Sequence, residues 1–114
     1  MTTFLLKHWA RDRVRGPRMP VEWVIRKMTR DTAQLYGLRD RGVLAPGKKA
    51  DANVIDFARL ELDLPEVAHD LPAGARRLIQ RARGYQATVV SGEVTFREGA
   101  HTGVLPGRHV RGAR

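Results

Sequence analysis

The 114-residue chain contains no cysteine. That absence excludes a disulfide framework and any thiolate metal site. Aromatic residues make up only 6% of the sequence, which leaves little to stack against the bases of a single-stranded nucleic acid. No apolar run approaches the ~20 residues that span a bilayer. The opening MTTFLLKHWARDR has neither the apolar h-region nor the small-residue cleavage site of a secretory leader, so the expected location is cytoplasmic. A complete (β/α)8 barrel takes about 250 residues, whereas this length suits one domain with one modest core. Internal repeats and low-complexity tracts are missing, and the 42% apolar content is ordinary for a folded protein.

Positive charge, by contrast, is abundant. Lys and Arg number 21 against 12 Asp and Glu, for a formal net charge of +9 and a pI near 11.2. Arginines gather as Arg11, Arg13, Arg15 and Arg18, then as Arg76, Arg77, Arg81 and Arg83, and finally as Arg108, Arg111 and Arg114. A phosphate-binding surface needs many cations on one face. These are spread along the whole chain, with no helix-turn-helix, RNP-like or zinc-finger pattern beside them. Nucleic acid is therefore the lesser alternative among partners. Excess charge is also expected of a piece whose balancing portion lies elsewhere.

Local patterning predicts helices first and strands after. Leu5, Leu6 and Trp9 share one side of a short helix, which Arg15-Gly16-Pro17 breaks. Pro20 suits the first position of a second helix, with Glu22 in its first turn and cations at Arg26, Lys27 and Arg30 near its end. Its apolar stripe is Val21, Val24, Ile25 and Met28. Asp31 with Gln34 resembles a capping box that opens a third helix, and Gly37 supplies its C-cap. Gly42, Pro46 and Gly47 then mark a loop. Ala52 to Phe57 reads as a short buried strand, 58–74 as irregular chain, and Arg77 to Ala82 as a further strand. The segment YQATVVSGEVTFREG predicts a hairpin with Ser91-Gly92 at its tip. The implied register sets Val90 opposite Glu93, Val89 opposite Val94, Thr88 opposite Thr95, and Ala87 opposite Phe96. Tyr85, Ala87, Val89, Val94 and Phe96 then share one face, and Gln86, Thr88, Glu93, Thr95 and Arg97 the other.

Candidates for chemistry are few. The histidines are His8, His69, His101 and His109. None forms an H-x-H pair or an i, i+4 helical pair of the kind that ligates zinc. His8 reads as a packing or surface residue. His69-Asp70 is a dyad only by adjacency, since neighbours in extended chain point to opposite sides. His101 and His109 flank a Gly/Pro-rich tail and read as solvated. Asp51 is expected to accept backbone hydrogen bonds in a turn, Asp56 to cap the turn after its strand, and Glu93 to be exposed. Gly37, Gly42, Gly47 and Gly99 build no phosphate-cradling loop, and Ser91 lacks a G-x-S-x-G context. No catalytic, cofactor-binding or metal-binding set is therefore assigned to this chain.

The stretch GLRDRGVLAPGKKADANVIDF (Gly37 to Phe57) resembles the C-terminal motif of the amidohydrolase superfamily, carried by Gly37-Leu38, Arg41-Gly42-Val43-Leu44, Pro46-Gly47, Ala50-Asp51 and Val54-Ile55-Asp56. Within it, the chain is similar to the N-acyl-D-amino-acid deacylases (D-aminoacylases) of amidohydrolase family 3. DLPAGARRLIQRARGYQATVVSGEVTFREG resembles the hairpin that follows in that group, and TGVLPGRHVRG (Thr102 to Gly112) its usual ending. TFLLKHWARDR resembles the helix after the last barrel strand. The resemblance implies hydrolysis of non-peptide C–N bonds by zinc or another divalent metal, held by an H-x-H and further histidines in a (β/α)8 barrel, with an aspartate as base. None of those ligands has a counterpart here. The expectation is thus an inactive C-terminal fragment with an α+β fold. Residues 1–37 would be the last helices of a barrel, and residues 38–114 the C-terminal part of a small β-sandwich with a polar tail. Its expected partner is the missing barrel portion, or a second copy through exposed apolar surface. The competing expectation is a non-catalytic module that completes another subunit.

Overall fold

The computed structural model describes residues 2–111. Arg114 of the third basic cluster and Gly112 of the closing motif lie outside the described residues. Helices come first and antiparallel strands after, a mixed α+β architecture.

Helix α1 (Thr2–Phe4) runs directly into a π-helical segment, Leu5–Asp12. Leu6 is its buried apolar residue, and Leu5 and Ala10 pack around it. Pro20 caps helix α2 (Val21–Arg26) from outside rather than opening it: its ψ of 131° is extended, and its carbonyl accepts the Val24 N–H at 3.1 Å. The expected break at Asp31 is absent. Lys27–Asp31 continues α2 as a second π-helical segment and leads into α3 (Thr32–Leu35). Asp31 itself is helical, with φ −64° and ψ −39°, and caps nothing. Its carboxylate is held instead by Arg26 and Lys27. Gly37 does end the helix. At φ +67° it lets the Leu38 N–H reach back to the Ala33 carbonyl at 2.8 Å, a Schellman closure.

A four-stranded antiparallel sheet follows in the order β1-β6-β7-β8, formed by β1 (Ala52–Ile55), β6 (Tyr85–Val90), β7 (Glu93–Arg97) and β8 (Ala100–His101). The hairpin tip forms as its sequence predicts, with Ser91 and Gly92 both at positive φ. Val90 faces Glu93 and Val89 faces Val94. Beyond them the register slips, so that Thr88 faces Phe96 and Ala87 faces Arg97. The inserted residue is Thr95, a β-bulge. Thr95 is buried rather than outward-facing, with its hydroxyl donating to the Thr88 carbonyl at 3.1 Å. Its own carbonyl accepts the Thr102 N–H at 2.9 Å, which folds β8 back and makes His101 part of a strand rather than of a loose tail. Strand β1 is less buried than expected. Val54 is 49% exposed, on a strand that is the sheet's edge and pairs only with β6 among the described residues.

The stretch 58–74 is not irregular. It holds β2 (Glu61–Leu62) and β3 (Glu66–Ala68), and the expected strand at Arg77 to Ala82 divides into β4 (Arg77–Ile79) and β5 (Ala82–Arg83). Leu62 faces Ala82 and Glu66 faces Ile79. The two ladders are therefore one long antiparallel arm with an extra residue within 63–65, where Pro65 lacks the N–H a continuous ladder needs. Such pairing is non-local and gives no alternating signature in strands of two or three residues. Exposed pairs Arg77–Asp70, Arg81–Glu66 and Arg83–Asp63 bridge the arm.

The core joins the halves. Leu6, Val24 and Leu60 are its buried centre, with Ile55, Phe57 and Tyr85 packed against it. Leu60 is wholly buried where Gly84 crosses its backbone. A Cβ at Gly84 would lie 2.8 Å from Leu60 Cα and 3.0 Å from the Arg59 carbonyl, and Gly84 already has φ +95°. Gly84→Ala is expected to cost about 3 kcal/mol through strain and overpacking together. Gly99→Ala, at φ +80° but in open space, should cost only about 1 kcal/mol. Urea denaturation of the two variants checks this; equal losses would mean that the crossing is not tight.

Candidate functional site

An open groove of about 820 Å3 lies between the helices and the sheet. Leu6, Ile25, Met28 and Ala33 supply one wall, Val43 and Leu44 one end, and Ile55 and Val89 the floor. Gly42 makes the loop possible. At φ +87° it passes so close to the helix that a Cβ would meet Ala33 Cβ at 2.7 Å, and this approach delivers Val43 and Leu44. Polar groups at the rim are occupied by neighbours. Arg41 holds both oxygens of Asp40 at 2.9 and 3.0 Å. Asp51 accepts the Ser91 N–H at 2.7 Å, while the Ala50 carbonyl takes the Gly92 N–H at 2.9 Å, so the hairpin tip is tethered to the mouth of β1. Asn53 accepts from the Thr88 hydroxyl at 2.8 Å.

A compact ionic cluster closes the far side of the core. Arg11 donates to the Phe57 and Ala58 carbonyls at 2.7 and 2.8 Å and to Glu61 at 3.2 Å. Lys7 reaches Asp12 at 2.8 Å and Glu61 at 3.4 Å. Hydrogen bonds from Arg11 and then from Lys7 hold the Asp12 carboxyl far below its ordinary range. The geometry is that of a clamp: one guanidinium fixes the first helix to the turn between β1 and β2. Only the local charge of Arg11 is visible in the sequence; its two carbonyl partners lie 46 and 47 residues away.

The residues singled out for chemistry are dispersed. His8 stacks on Phe4 with ring centres 5.0 Å apart and meets Trp9 edge-on. Asp70 turns both oxygens to Arg77, at 2.8 and 2.6 Å, rather than to His69. His101 lies edge-on to Phe96, and its Nδ1 accepts the Gly103 N–H at 3.0 Å. His109 and Glu93 are exposed. Asp56 caps its own turn through the Arg59 N–H at 3.1 Å. Among the described residues no three His, Asp or Glu side chains come together as a metal site. Zinc takes three or four such donors, so the donor set present does not fit a catalytic divalent cation. What the site offers is an apolar surface with its polar rim already satisfied.

The amidohydrolase family model matches residues 1–96. The chain belongs to the amidohydrolase family. No curated protein and no solved structure matches it. No helix among the described residues is long and apolar enough to cross a membrane.

Four carboxyls, those of Asp12, Asp31, Asp40 and Asp70, are held below their ordinary 3.8 by hydrogen-bonded cations. A folded pKa below the unfolded one stabilises the fold above the ordinary carboxylate range, and that contribution is lost as pH falls through the folded values. Thermal stability is therefore expected to hold near neutrality and to fall progressively below about pH 5. Asp12→Asn should flatten that acid limb more than Asp40→Asn does. Melting curves at stepped pH check both statements.

Proposed function

We propose that this chain is the C-terminal part of a metal-dependent amidohydrolase of the N-acyl-D-amino-acid deacylase type. It serves the complete enzyme through packing rather than through chemistry. In this reading residues 1–37 are the final barrel helices and residues 38–114 the C-terminal part of a small β-sandwich. The metal ligands and the base belong to the barrel portion, and hydrolysis of the amide bond takes place there, in the cytoplasm.

The observation that carries the reading is the open apolar groove, taken together with family membership. Large apolar residues stay in solvent around it: Ile25 is 38% exposed, Val43 46% and Leu44 71%. A contiguous apolar surface of this kind marks a place where more protein packs. The reading is supported by the engagement of Asp70 with Arg77 and of Asp51 with the Ser91 N–H, and by the lack of a cluster of three His, Asp or Glu side chains among the described residues.

A separate barrel subunit would use the same groove, which makes an accessory module the second reading, and a second copy of the chain would compete for it. One experiment separates these. The 114-residue chain is purified alone and co-expressed with the barrel portion of an N-acyl-D-amino-acid deacylase; bound zinc, release of free amino acid from N-acetyl-D-amino acids, and sedimentation are then measured. The chain alone is expected to retain no stoichiometric zinc and to show no turnover, and co-expression to give a stable active complex. Stoichiometric zinc with deacylase activity in the chain alone would overturn the proposal. A tight homodimer that refuses the barrel portion would replace it with self-association.

A further inference from the structure

Two helical segments of this chain run in the wide π register, Leu5–Asp12 and Lys27–Asp31. Each joins a cation to an aspartate five residues on: Lys7 and Asp12 lie within the first segment, and Arg26, the N-cap of the second, pairs with Asp31 at its end. Lys7 Nζ lies 2.8 Å from Asp12, and Arg26 Nε lies 3.0 Å from Asp31. This spacing is diagnostic. In an α-helix, residues five apart point about 140° away from each other, whereas the i→i+5 bonding of a π turn brings them to one side. The α-helical partners are i+3 and i+4. Asp31 has one of those as well, because Lys27 Nζ reaches it at 3.1 Å. The Thr32 hydroxyl adds a second contact across five residues, donating to the Lys27 carbonyl at 2.8 Å.

We propose that Lys27–Asp31 is a register latch, in which the Arg26–Asp31 pair selects the wide turn over an α-helical one and so sets how Thr32 and Ala33 face the groove. The Lys27–Asp31 pair fits either register. The Arg26–Asp31 pair fits only the wide one. Ile25, Met28 and Thr29 line the groove on or before the latch, and Thr32 and Ala33 line it just beyond. Tightening the turn to the α register rotates α3 about the helix axis relative to α2. Ala33 then leaves its place against Gly42, where a Cβ on Gly42 would lie 2.7 Å from the Ala33 Cβ. The latch thus controls the shape of one wall of the groove. A single ion pair this exposed adds little to global stability. Its effect is on the choice between two registers that share most of their other contacts. This inference does not depend on what occupies the groove.

The test compares two alanine variants that remove the same charge. Both side chains are more than half exposed, at 61% for Arg26 and 52% for Lys27, so neither change threatens folding. Through-hydrogen-bond couplings are measured by NMR on the isotopically labelled full chain, which reports the carbonyl that each amide bonds. In the wild type and in Lys27→Ala, amides at the end of Lys27–Asp31 are expected to couple to carbonyls five residues earlier. In Arg26→Ala those couplings should disappear and be replaced by couplings to carbonyls four residues earlier. The latch is refuted if Arg26→Ala keeps the five-residue couplings, if Lys27→Ala loses them equally, or if the wild type shows only four-residue ones.

Discussion

The packing of Leu60 beneath Gly84 is the constraint on which the rest of the chain depends. Leu60 is the one core residue from the strand region, and it meets Leu6 and Val24 from the two helices. It can do so because Gly84 has no side chain where the two backbones cross. The same crossing lets the Gly84 carbonyl accept the Asp56 N–H at 2.8 Å, which sets the end of β1 against the start of β6. Arg11 then fastens the turn between Phe57 and Leu60 to the first helix. Helices, sheet and long arm all meet within a few residues of this point. With so small a buried centre, that junction carries an unusual share of the fold.

The groove is the other consequence of a small core. The helices cover one part of the sheet and leave Ile25, Val43 and Leu44 in solvent. Several polar groups around it are already engaged, Arg41 by Asp40, Asp51 by the Ser91 N–H and Asn53 by Thr88, and most of its lining is apolar. In the proposed reading this apolar surface is where more protein packs. Membership in the amidohydrolase family and the absence of a metal-donor cluster among the described residues are reconciled on this view. In the proposed reading the chain contributes the surface on which a barrel closes, and the reactive groups are supplied by that barrel.

Charge follows a similar division. Arg11, Arg26, Arg77, Arg81 and Arg83 are all paired with carboxylates in the fold. Arg13 instead lies over the Trp9 ring at 4.5 Å and donates to the Arg15 carbonyl at 2.6 Å. Several arginines of the first two basic clusters are thus given internal tasks: clamping the first helix, bridging the arm and closing a loop. A run of arginines is a statement about composition, and its meaning depends on which carboxylates and carbonyls the fold brings near.

Local interactions were legible in the sequence. The Gly37 closure, the Ser91-Gly92 tip, the Asp56 turn and the Leu6 and Val24 faces each depend on residues within a turn or two of one another, so composition and spacing suffice to determine them. The amidohydrolase motif was legible for the same reason, because its glycines and prolines mark loops directly. Other features depended on partners far along the chain. The Thr95 bulge answers to Thr102 and Thr88, the strands at 61–68 answer to those at 77–83, and the burial of Leu60 answers to Gly84. The expected helix start at Asp31 gave way for a related reason: a carboxylate that can cap a backbone can also bind a guanidinium, and Arg26 lies where the wide turn brings it within reach. The sequence by itself determined the order of helices before strands, the local turns and the family. The tertiary structure alone decided register, burial and the groove, because those are set by which surfaces meet and not by the order in which residues are joined.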